Sequence, residues 1–117
     1  MSRDVILYLD DMVEACRRIS VYVEGLHRGD LKAGTMAYDA IIRNLEILGE
    51  ACKSVPAEAR ALDEEITWRR IAGLRDVLAH AYFGIDQDIV WNVVSEEVPA
   101  LLPRLIALRS TLDPKGE

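Results

Sequence analysis

Apolar residues recurring at three- and four-residue steps dominate this chain, and that period admits helices and little else. Over about 3–27, Val5, Leu9, Met12, Cys16, Ile19, Val23 and Leu26 form one sustained stripe, as on a long helix with a single buried face. Gly25 and Gly29 mark its end, because glycine accepts the left-handed turn that closes helices. A second helix is predicted over about 35–53. Ala37, Ile41, Leu48 and Ala51 are on its stripe, Ala40 and Ile47 lie beside them, and Asn44 is a polar residue within the stripe. Pro56 interrupts, and 57–62 reads as a short helical piece. Another helix starts near Thr67, a candidate N-cap, and carries Trp68, Ile71, Leu74, Leu78 and Tyr82 inward. Residues 83–86 read as a turn, with Asp86 capping a last helix over about 87–109. There Val90, Val94, Glu97, Leu101, Leu105 and Leu108 share one line. Pro99 and Pro103 should bend or split that helix, because proline removes a donor and clashes with the preceding turn. No strand-like alternation competes. The expected architecture is an all-α bundle of four to five helices, one domain over 1–112 with a frayed tail over 113–117.

A chain of 117 residues supports a single core. It has no run of eighteen apolar residues and no signal-peptide block after its first residues, so a cytoplasmic protein away from the membrane is expected. Cys16 and Cys52 are too few and too far apart for a disulfide framework or a zinc site, and read as buried thiols. No other metal ligands or cofactor motif stand out. The formal net charge is −6, whereas free nucleic-acid binders are usually basic. Any phosphate site must therefore be local, and Arg69, Arg70 and Arg75 offer such a patch.

The chemically informative stretch is Trp68-Arg69-Arg70 through Arg75-Asp76 to His80-Ala81-Tyr82. On an ideal continuous helix Arg75 shares the apolar face of Ile71, Leu78 and Tyr82, where a charge is costly unless paired or facing a polar cleft. His80, one of two histidines, is about 140° away from Arg75 at 100° per residue. Arginine's length, a helix distortion or a second subunit must then bring the two together. Asp76, four residues before His80, shares its face and can orient the imidazole. An arginine that grips a phosphate and a histidine that moves a proton suffice for metal-free RNA cleavage by the ribose 2′-hydroxyl. Arg43 and Asn44, with Arg69 and Arg70, are candidates for further phosphate contacts. Each residue also has an ordinary structural reading: an ion pair for Arg75, a satisfied or surface histidine for His80, a buried register-fixing amide for Asn44.

Several spaced motifs together carry more weight than the arginine–histidine pair. They are 4–12 (DVILYLDDM), 40–51 (AIIRNLEILGEA), 68–76 with 80–83, 89–91 (IVW) and 98–101 (VPAL). In this order they resemble the HEPN superfamily, and within it the HepT-like ribonuclease toxins of toxin–antitoxin pairs. The resemblance implies a dimerising helical bundle whose Arg-x4-His-x-Tyr motif lines a cleft at the dimer interface. It makes Arg75 and His80 the ribonuclease residues and Tyr82 the tyrosine that an MntA-like nucleotidyltransferase antitoxin modifies with AMP. Added charge and bulk there would repel and occlude RNA. Asp76 stands where many members have asparagine, and Ala81 where glycine is common. The competing reading is a non-catalytic module that binds a nucleotidyltransferase or a nucleotide through the same cleft. The net charge speaks for it, and the intact Arg75, His80 and Tyr82 speak for the enzyme.

Overall fold

The first stripe folds as helix α1, Arg3–Val23, which buries Val5, Leu9, Met12, Cys16 and Ile19. Beyond it Gly25 takes a φ of +81°, and the Leu26 N–H closes back onto the Val23 carbonyl, so the chain turns where the glycine permits it. Val23 and Leu26 pack only partly buried at that end. The structure is a computed structural model that describes residues 3–82 and 87–114, and for 79–82 the backbone alone.

Helix α2, Met36–Ser54, starts at a formed cap. The Thr35 Oγ1 accepts from the Tyr38 N–H at 3.2 Å and donates to the Lys32 carbonyl at 2.8 Å. Ile41, Leu45, Leu48 and Cys52 are buried in the core, and the Cys52 thiol donates to the Trp68 carbonyl at 3.4 Å. Arg60, at the end of the short helix α3, Ala57–Arg60, donates to the carbonyls of Cys52 and Val55. It thereby satisfies acceptors that the C-terminus of α2 would leave open. The same guanidinium lies 5.8 Å from the centre of the Trp68 ring.

The single helix expected from Thr67 to Tyr82 is two helices. They are α4, Trp68–Ala72, and α5, Leu74–Tyr82, with Gly73 between them. Thr67 occupies the cap position but makes no side-chain cap bond, so the predicted cap is a correction. The bend packs against α2 at Gly49, where an added Cβ would lie 3.2 Å from the Ile71 carbonyl oxygen and 3.7 Å from the Leu74 Cβ. Trp68, Ile71, Leu74 and Leu78 nevertheless all point inward, as the spacing predicts. Gly49→Val should lower the unfolding free energy by about 1–3 kcal/mol, because the obstacle is backbone and must move. Urea denaturation measures it, and an unchanged midpoint would contradict the tight approach.

The last helix is also interrupted. Helix α6, Gln87–Asn92, passes through a π-helical turn, Val93–Glu97, into α7, Val98–Leu112. The Val98 N–H reaches the Val93 carbonyl, five residues back. This wider turn relieves the crowding that the Pro99 ring would create in an α-helix. The Ser95 hydroxyl caps the Trp91 carbonyl at 2.6 Å. Pro103 stays inside α7 on its exposed side, so the expected split occurs before Pro99 and not at Pro103. The turn at 83–86 and the Asp86 cap lie outside the described residues, as does most of the predicted tail.

Helix α1 packs between α2 and α7, and α2 carries α4 and α5. Arg109 of α7 grips Asp10 of α1 with both Nε (2.7 Å) and Nη2 (3.4 Å). Cys16 and Cys52 are free, buried thiols, as expected, and burial pushes the Cys16 thiol up to about 12. The result is an all-α, HEPN-type bundle. Among the described residues no helix is long and apolar enough to cross a membrane.

Candidate active site

Helix α5 runs unbroken through Arg75, Asp76 and His80 to Tyr82. Arg75 and His80 therefore share a helix with no distortion between them. The side chains of His80 and Tyr82 lie outside the described residues, and with them the contacts predicted for Asp76. Asp76 itself is exposed in the first turn of α5.

Arg75 is not embedded in the apolar face, which corrects the ideal-helix expectation. Its side chain is 66% exposed. Leu74 and Leu78 are both buried and define the inward face of α5, so Arg75, about 100° from Leu74 and about 60° from Leu78 on the same helix, lies at the edge of that face. Its side chain reaches toward α2. There its Nη1 donates to Glu50 Oε1 at 3.1 Å. Lys53 Nζ approaches the same oxygen at 3.5 Å. Lys53 first, and the Arg75 hydrogen bond after it, hold the Glu50 carboxyl below its ordinary value. Glu50 stands within the 40–51 motif, but the sequence assigns it no role in the site. Only the fold places Arg75, twenty-five residues later, against it.

The other predicted phosphate contacts are distributed over the surface and the core. Arg43 is exposed and lines an open groove of about 430 Å³ between α1 and α2, together with Tyr8, Asp11, Glu46 and Glu50. Asn44 is buried and donates to the Ala40 carbonyl of its own helix at 2.9 Å, so it sits in the core beside exposed Arg43. Arg69 and Arg70 line a different cleft, with Arg60 and Trp68. Arg70 also pairs with Glu97 at 2.7 Å, on an oxygen that accepts from Asn92 as well. The single patch expected from Arg69, Arg70 and Arg75 is therefore divided: Arg69 and Arg70 line the cleft beside Trp68, while Arg75 pairs with Glu50 of α2. Among the described residues no group of three or more His, Cys, Asp or Glu is arranged to hold a metal ion.

What the arrangement offers chemically is an exposed guanidinium, tethered by one donor, five residues before a histidine on the same helix. Residues 12–108 match the model of the family described as ribonuclease HepT-like, which spans this motif. The chain is 39% identical over 102 residues to a protein of Thermococcus cleftensis named "Probable ribonuclease HepT", covering 87% of this chain and 93% of that one. It is 34% identical over 113 residues to the Methanocaldococcus jannaschii protein "Gamma-glutamylcyclotransferase and putative RNase". That match covers 97% of this chain but 51% of the relative, so the chain spans about half of it. No solved structure gives a significant match.

Proposed function

This chain belongs to the ribonuclease HepT-like family, and on that premise we propose that it is a metal-independent endoribonuclease, the toxin of a toxin–antitoxin pair. The observation that carries this reading is Arg75, exposed on the same unbroken helix as His80 and retaining donors to offer a phosphate. In the proposed reaction the ribose 2′-oxygen attacks phosphorus and the bond to the 5′-oxygen breaks. A 2′,3′-cyclic phosphate and a 5′-hydroxyl result. His80 takes the 2′-proton or returns one to the leaving oxygen. Arg75 binds the phosphate and stabilises the charge that develops on it. A homodimer supplies the second copy of the motif, which α5 alone cannot provide, since its register separates residues 75 and 80 by about 140°.

Tyr82, at the end of α5, is the proposed off-switch, modified with AMP by an MntA-like nucleotidyltransferase. The first test is cleavage of single-stranded RNA by the purified, unmodified chain in EDTA. No cleavage would end the enzyme reading and favour the non-catalytic partner module, which the net charge of −6 also suits. For the switch, intact mass after co-expression with the nucleotidyltransferase should show added AMP, absent from Tyr82→Phe. The same adducts on both proteins would remove Tyr82 from this role.

A further inference from the structure

We propose that Lys53 and Glu50 of α2 form a relay that holds the Arg75 guanidinium in place for phosphate, which makes Glu50 a positioning residue for RNA cleavage. This rests on the ribonuclease reading above. Glu50 engages Arg75 through Nη1 alone. A guanidinium carries five N–H donors, and among the described residues Nε and Nη2 have no partner, which leaves them for the two-pronged grip that phosphate favours. Arg109 shows the contrast within the same molecule. It commits both Nε and Nη2 to Asp10, and its side chain is only 16% exposed, as suits a purely structural pair.

The tether has its own support. Lys53, one turn further along α2, approaches the same Glu50 oxygen at 3.5 Å and so helps to hold the carboxylate. Gly49, the residue before Glu50, lets the Ile71 carbonyl approach α2, and this brings the start of α5 within reach of Glu50. A free arginine on an exposed helix surrenders rotamer freedom when it meets a phosphate, and a prior tether reduces that loss. Since the pair is exposed, its value lies in placement more than in folding.

Steady-state cleavage of a mixed-sequence, single-stranded RNA oligonucleotide by the full chain in EDTA tests the relay. In Glu50→Ala, kcat should fall about tenfold or more, as expected when a reacting group is misplaced. KM should stay level or drop, because one negative charge has gone. Glu50→Gln should recover most of kcat, since its amide oxygen still accepts from Arg75. Thermal midpoints should match across the three proteins. If Glu50→Ala keeps or raises kcat, Glu50 is inert or masks Arg75, and the relay is wrong. A Glu50→Gln as slow as Glu50→Ala also overturns it. A wild type that cuts no RNA takes the ribonuclease reading down together with the relay, whereas a cutting wild type matched by Glu50→Ala removes the relay alone.

Discussion

Arg75→Ala should cut RNA about 10²–10³-fold more slowly than the wild type in EDTA, and His80→Ala about 10²–10⁴-fold more slowly. The first figure is the cost of removing one preorganised donor to a transition-state oxyanion, and the second that of removing a positioned proton-transfer group. Arg75 is exposed and its pairing is with a single exposed carboxylate, so its loss should change stability by no more than about 0.5 kcal/mol. A Tm unchanged beside a collapsed rate would therefore assign the effect to chemistry. Arg75→Lys keeps the charge but loses the planar fork and should be intermediate. Cleavage by Arg75→Ala within about threefold of wild type would remove Arg75 from the mechanism.

Ile41→Ala should lower the unfolding free energy by about 2–5 kcal/mol, a large share of the total stability of a domain this size. Ile41 is fully buried on α2, at the packing against α1 that forms the most extensive interface of the bundle. Removing its branched end deletes apolar burial and leaves a cavity that two long helices can close only in part. Met36, 90% exposed in the first turn of the same helix, provides the control, and Met36→Ala should stay within about 0.5 kcal/mol of the wild type. Urea midpoints with matching slopes decide the matter. Equal losses in the two variants would contradict the burial assigned to the α1–α2 face.

Much of the fold can be read directly from the chain because helices leave a local imprint. The stripe of α1 and the inward series Trp68, Ile71, Leu74 and Leu78 follow from spacing and residue chemistry. The break at Gly73 does not, because the apolar spacing continues across it. Its partner surface, Gly49, is twenty-four residues earlier, within the 40–51 motif, and nothing in the spacing links the two. Pro99 announces a disturbance, but not that the chain would absorb it upstream as a π-turn. For the candidate site, the sequence singles out Arg75 and His80 by residue type and motif, yet it places Arg75 in the apolar face and passes over Glu50.

The chain by itself determined the helices, their buried faces and the family motif, because each depends on neighbours within one or two turns. The tertiary structure alone decided that Arg75 leaves the apolar face, that Arg69 and Arg70 belong to another cleft, and that Glu50 meets Arg75. These outcomes depend on how closely α4 and α5 can approach Gly49 on α2, a distance set by packing between segments remote in sequence.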